Sequence, residues 1–231
     1  DQYENETNIF NTDTGELTYT LKGHSSWMSS ISFSNDSKYV VTTSNDKTSK
    51  LYDLEKGMLL KTLRGHDSRV SSSDISSTNK YIATASDDVS FILFDFNSGK
   101  QLIRHFTFDG KDPLWLLPNC YYFGTKKAAS KLYYIKGLQT IGFEQLDVKY
   151  NRPDKVMEVL GDILGTKDTT MIKAYKKAWQ KRIKKMEIDT KSFKQGFSLP
   201  ESNFANREAI GYEQNNSELK LHIKALDSTY L

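Results

Sequence analysis

A repeat of 42 positions restricts the fold of this chain more than any other feature. Gly23-His24 returns as Gly65-His66, Asp46 as Asp88, Asp53 as Asp95 and Gly57 as Gly99, each pair 42 positions apart. A period of this size belongs to stacked or radially arranged units, because each unit leaves an apolar face that only a neighbour can cover. Folds of that kind serve chiefly as interaction surfaces. The phase reaches further upstream: Gly15 stands 42 positions before Gly57, and Phe10-Asn11 stands where Tyr52-Asp53 and Phe94-Asp95 follow. The chain is therefore expected to open inside a repeat. With Asp1 in place of an initiator methionine, it reads as a piece of a longer protein.

Within one period, Trp27, Ile31 and Phe33 alternate in a first run, Tyr39 to Thr43 forms a β-rich second and Lys50-Leu51-Tyr52 a third. Asn35-Asp36 and Asn45-Asp46 punctuate them, and Lys56-Gly57 turns the chain into a fourth run, Met58 to Leu63. Four antiparallel strands per period make one propeller blade.

The order Gly-His, then Ser-Asn-Asp or Ser-Asp-Asp, then an aromatic-Asp pair resembles the WD-repeat β-propeller family. That resemblance implies a buried network of loop histidine, strand serine or threonine, turn aspartate and tryptophan. The matching residues are His24, Ser44 and Asp46 in one blade and His66, Ser86 and Asp88 in the next, with Tyr52 and Phe94 in the tryptophan places. Such a network pins two loops together and serves stability rather than catalysis; loss of one partner is expected to cost about 1–3 kcal/mol. Phe94 carries no donor, which leaves the second network one partner short.

The repeat decays along the chain. Ser71, Ser72 and Ser73 fill the stretch where the first blade has Ser29, Ser30 and Ile31, and the third period fails at Thr107, where a glycine is due. Decay of this kind marks a terminal repeat. Residues 1–110 are thus read as about two full terminal blades plus parts of others, too few to close a ring of about four to eight. The resemblance implies that partners meet the surface beside the Gly-His loops, where Trp27 and Arg69 stand 42 apart. Both types are enriched in binding hot spots. The competing reading makes Trp27 a cap on the core and Arg69 a solvated charge.

Composition narrows the function classes. With 37% hydrophobic and 12% aromatic residues in 231, the chain can bury a core, and no apolar run approaches the ~18 residues of a membrane span. Cys120 is the single cysteine, which excludes an internal disulfide and any cysteine-rich metal site and fits a reducing, cytoplasmic setting. It is expected as a small buried apolar residue. A net charge of +3 is too small to argue for nucleic acid. There is no glycine-rich phosphate loop and no His-Glu-x-x-His run, so no cofactor, metal or nucleotide chemistry is expected.

The second half follows another pattern. Leu114–Pro118 and Cys120–Gly124 read as short strands, and residues 127–135 are ambiguous between helix and strand. The span 111–150 is taken as degenerate last-blade or connector strands. A helix is expected from Pro153 to Leu164, stopped by Gly165. A second, capped by Asp168 or Thr169, runs to about Glu187 on an apolar stripe of Ile172, Tyr175, Trp179, Ile183 and Met186. Its other face carries Lys173, Lys176, Lys177, Lys181, Arg182, Lys184 and Lys185, either a solvated outer face or a patch for an anionic surface. These helices make up a segment 151–187. Residues 188–231 read as an extended linker and the first strand of a following domain, with Leu219, Leu221, Ile223 and Ala225 alternating.

The runs Phe143-Glu144-Gln145-Leu146-Asp147 and Lys149-Tyr150-Asn151-Arg152-Pro153-Asp154, then Ala174 to Ala178 and Lys181-Arg182, carry a second resemblance. They are similar to the segment after the propeller in bacterial proteins that join WD repeats to a caspase-like peptidase domain. The likeness implies a domain order only. The histidine and cysteine of such a peptidase have no match here, since His105 and His222 lack any cysteine motif beside them. Arg152 and Asp154 are expected to fix the start of the helix at Pro153.

The chain is accordingly expected to be mainly β with an α-helical C-terminal segment. Its expected role is that of a non-catalytic scaffold that binds a protein or peptide and positions neighbouring domains of the same parent. Two alternatives stand beside it: the regulatory half of a caspase-like peptidase, and binding of nucleic acid or an anionic surface through the helix at 169–187.

Overall fold

The computed structural model describes residues 5–136, 139–190, 193, 201–204 and 223–226. The chain divides into two compact units, Asp1–Lys176 and Lys177–Leu231. The described part is mainly β, and its helices lie C-terminal to the repeats.

A two-stranded hairpin of β1 (Thr7–Phe10) and β2 (Leu17–Leu21) comes first. The first complete blade follows: β3 (Met28–Phe33), β4 (Tyr39–Ser44), β5 (Ser49–Asp53) and β6 (Met58–Leu63), antiparallel and in chain order across the sheet. The second blade holds β7 (Val70–Ile75), β8 (Tyr81–Ser86), β9 (Ser90–Asp95) and β10 (Gln101–Phe108). Strands β7 and β8 begin 42 residues after β3 and β4.

Adjacent Val40 and Val41 point to opposite faces of β4, as strand alternation requires, and both are fully buried. The first blade is therefore covered on both sides. Val40 and Tyr52 pack with Leu21, Ile9 and Tyr19 of the hairpin. On the other face, Val41, Leu51 and Leu63 meet Ile82, Ile92 and Phe94 of the second blade. Gly57 is needed where these layers touch: its φ is +63°, and a Cβ there would sit 2.5 Å from the Tyr19 ring.

Serines of the first inner strand bridge the two blades. Ser29 Oγ donates to the Val70 carbonyl, and Ser32 Oγ donates to the Ser73 carbonyl at 2.5 Å. Hydroxyls thus stitch β3 to β7 where apolar contact would be thin.

The second sheet does not stop at four strands. Where the earlier repeats loop out at Gly-His, β10 runs on to Phe108 and turns at Asp109-Gly110. Both turn residues have positive φ, the geometry of a primed hairpin turn. The chain returns as β11 (Asp112–Leu116) and β12 (Tyr122–Gly124), which makes a six-stranded sheet. Cys120, expected in the core, is exposed in the β11–β12 turn at φ 68°. The turn fixes its place, and hydrophobicity does not.

The ambiguous stretch 127–135 resolves into both kinds of structure. Short helix α1 (Lys126–Ala129) is capped by Thr125, and β13 (Tyr133–Lys136) pairs with β14 (Gln139–Gly142). Helix α2 (Phe143–Tyr150) occupies positions read as connector strand. Helix α3 (Pro153–Leu164) starts on its proline and ends at Gly165, left-handed with φ 68°. Its residues Val156, Val159, Leu160 and Ile163 pack on Leu93, Ile103 and Leu117 of the second blade and its extension.

Helix α4 (Thr169–Lys185) begins at Asp168, whose carboxylate accepts from the amides of Thr170 and Met171 at 3.0 and 2.9 Å. In the second unit, β15 (Glu201–Phe204) pairs antiparallel with β16 (Ile223–Leu226). Ile223 and Ala225 of the expected strand lie in β16; Leu219 and Leu221 are outside the described residues.

Candidate functional site

The turns at one end of the blades are locked by matching networks. His24 Nδ1 stands 2.8 Å from Asp46 Oδ2, and its Nε2 stands 2.8 Å from Thr42 Oγ1. Asp46 also accepts from the amides of Ser25 (3.0 Å) and Thr48 (2.9 Å) and from the Thr48 hydroxyl (2.6 Å). In the second blade His66 stands 2.9 Å from Asp88 and 2.9 Å from Thr84. Asp88 accepts from the amides of Asp67 and Ser90 at 2.9 and 3.0 Å.

The strand partner of each imidazole is a correction to the sequence reading. It is Thr42 and Thr84, not Ser44 and Ser86. Residues two apart share a face of the strand, so alternation allows either hydroxyl; the imidazole meets the threonine, inside the strand, while the serine at the strand's end serves the turn. Ser44 instead donates to the Ser26 carbonyl at 3.0 Å and accepts from the Asp46 amide at 3.0 Å. Ser86 repeats this role, donating to the Arg69 carbonyl at 2.7 Å and accepting from the Asp88 amide at 3.2 Å. Tyr52 donates to the Lys22 carbonyl at 2.9 Å, tying the blade to the strand before it.

Phe94 has no hydroxyl to repeat the Tyr52 bond, and Arg104 on β10 brings the second network a different donor. Its guanidinium donates to Asp88 at 2.7 Å, Ser90 Oγ at 3.0 Å and Asp67 at 3.3 Å. No signal in the repeat points to Arg104, since the position 42 earlier holds Thr62.

The electrostatics match a structural role. Burial lowers the pKa of both imidazoles, outweighing the opposing pull of their aspartates. The neutral ring carries its proton on Nδ1 toward the carboxylate and accepts from threonine on Nε2. Burial acts to raise the aspartate pKa values, but the hydrogen bonds from Thr48 and His24, and from Ser90, Asp67 and His66, win. Asp46 falls below its ordinary value, and Asp88 falls to about 2.

The locked turns present Trp27 and Arg69 in equivalent places. The Trp27 carbonyl accepts from the Asn45 amide at 2.9 Å, and the Arg69 carbonyl accepts from the Asp87 amide at 3.0 Å. Trp27 is 64% exposed, so it does not cap the core. Arg69 is half-exposed beside Asp87 at 3.7 Å. Val89 is also exposed, in a turn at φ 57° that β-branched residues rarely adopt.

On α4, Lys173, Lys176, Lys177, Lys181, Lys184 and Lys185 are exposed and Arg182 is partly buried, while Ile172 is buried on the stripe. His105 lies between Phe91 and Trp115, with centroids 5.7 and 4.1 Å away, and burial lowers its pKa. His222 is outside the described residues. Among the described residues no group of three His, Cys, Asp or Glu could hold a metal ion, and no helix is long and apolar enough to cross a membrane.

Comparison with curated proteins gives no match. The family model described as "WD domain, G-beta repeat" matches residues 15–53 and 57–89. Each match begins on or just before an outer strand, β2 or β6, and takes in the histidine and aspartate of the network that follows. The two matched segments are thus WD-like repeats, and they fold as antiparallel sheets like those of a β-propeller.

Proposed function

We propose that this chain is a non-catalytic scaffold, the WD-repeat part of a larger protein, and that it takes a protein or peptide partner at the locked turns. WD repeats generally mediate protein–protein interaction. The observation that carries the reading is the pair Trp27 and Arg69, repeat-equivalent, exposed and held on a rigid frame. The histidines belong to that frame, which leaves them no catalytic task. Affinity capture with the wild-type chain and with Trp27→Ala/Arg69→Glu tests it. A partner lost by the variant at unchanged melting temperature supports the surface; identical captured sets remove it.

The regulatory half of a caspase-like peptidase is the second reading. Its support is the resemblance at Asn151-Arg152-Pro153-Asp154, a run that builds the start of α3. Reading the parent sequence beyond Leu231 for a His/Cys peptidase domain decides it. The exposed lysines of α4 favour a third reading, an anionic surface or nucleic acid. It predicts binding that falls steeply with salt and is lost when Lys176, Lys177 and Lys181 become Gln.

A further inference from the structure

Val89 stands where a valine is strained. It tips the β8–β9 turn at φ 57°, in the left-handed region that glycine and asparagine tolerate and β-branched residues rarely enter. The bonds around it hold the backbone there: the Asp88 amide donates to Ser86 Oγ at 3.2 Å, and the Ser90 amide donates to Asp88 Oδ1 at 3.0 Å. Burial gives nothing back, since Val89 is 66% exposed. Strain of this kind collects at ligand clamps and switches, where the surroundings over-determine it.

The repeat supplies a contrast at the same place. Forty-two residues earlier, Lys47 tips the β4–β5 turn, exposed and also left-handed at φ 68°. Trp27 and Arg69 stand just before β3 and β7, each bonded through its carbonyl to the neighbouring turn. The two blades therefore present opposite pairs. The first has an apolar group at the strand and a cation at the tip, and the second has a cation at the strand and an apolar group at the tip. A blade stacked on either side of the array covers the faces of the sheets and leaves such turn tips free.

We infer that these groups bind a peptide segment of a partner protein in which a carboxylate is flanked by apolar side chains, and that Val89 is the residue that selects one of those side chains. The inference rests on the reading of the locked turns as a partner surface. The carboxylate meets Lys47 and Arg69, and the apolar side chains meet Trp27 and Val89. A polyanion such as nucleic acid suits the surface poorly, because the Asp67 and Asp87 side chains are exposed in the same loops.

Panning a library of short random peptides on the immobilised chain tests the inference, with synthetic copies of the enriched peptides titrated by fluorescence anisotropy. Enriched peptides are expected to carry Asp or Glu with aliphatic or aromatic residues on both sides. Val89→Asn suits the left-handed turn and removes the apolar group. It is expected to raise the urea midpoint while weakening peptide binding by at least about tenfold. Val89→Ile is expected to keep the binding, and Lys47→Glu to weaken it. Peptides that bind Val89→Asn or Lys47→Glu as tightly as the wild type overturn the inference. So do enriched peptides without an acidic residue, a library that yields no binder, or a midpoint that Val89→Asn lowers. Peptides lost on Trp27→Ala/Arg69→Glu but indifferent to Val89→Asn overturn it alone and leave the partner surface standing.

Discussion

Arg104 donates to Asp88 at 2.7 Å, a donor for which the first blade, with Thr62 in the equivalent place, has no counterpart. The arginine comes from β10, the fourth strand of the blade, so it ties that strand to the turn that holds His66. Its side chain is largely buried, and it bonds Ser90 and Asp67 as well. Arg104→Met would leave the Asp88 carboxylate one donor short inside the blade. The expected loss is about 1–3 kcal/mol. Arg69→Met, which breaks only the exposed pair with Asp87, is expected to cost under about 0.5 kcal/mol. Urea denaturation of both variants separates them, and equal midpoints would remove the network role of Arg104.

The buried histidines set a pH dependence whose sign follows from their environment. Both have folded pKa values below the ordinary 6.5, so the folded state favours the neutral ring. Their stabilising share is complete above pH 6.5 and is lost as pH falls through the lower folded values. His105 adds to the same window with the same sign. The aspartates act lower: their share is complete above 3.8 and is lost as pH falls toward about 2, the value for Asp88. Denaturation midpoints between pH 8 and 3 are expected to be level at first, to decline below 6.5 and to decline further below 4. His24→Gln/His66→Gln is expected to flatten the first decline, leaving the part due to His105. A wild-type midpoint that holds steady from pH 7 to 5 would contradict this account.

Periodicity made the blades legible before any coordinates, because Gly-His, the turn aspartate and the aromatic-Asp pair recur in phase. It could not choose among Thr42, Thr43 and Ser44. All three carry hydroxyls, and which one faces His24 depends on how β3, β4 and β5 register. Arg104 was illegible for the opposite reason: it departs from the repeat at Thr62, and its partner Asp88 lies in the β8–β9 turn. Helix α2 gave little signal, since its buried residues Leu146 and Val148 are spaced as on a strand. Recruitment of β11 and β12 to the second sheet is a pairing between strands, which neither segment announces in its own residues.

The start of α3 is held by a buried ion pair. Arg152 donates through Nε and Nη2 to both oxygens of Asp154 at 2.8 and 2.7 Å, and Asp154 is fully buried. The Arg152 amide also donates to the Tyr122 carbonyl at 3.1 Å, which fixes the helix to the last strand of the sheet. The expectation that these residues fix the helix start is met by a geometry that makes one useless without the other. Removing only the cation strands a carboxylate where water cannot reach it, and Arg152→Met is expected to cost about 3–5 kcal/mol. Replacing both, as Arg152→Met/Asp154→Leu, removes the buried charge and is expected to recover most of that loss. A double-mutant cycle by urea denaturation measures the coupling. Additive single effects would show that the two side chains act independently, and that the fully buried carboxylate draws its compensation from elsewhere.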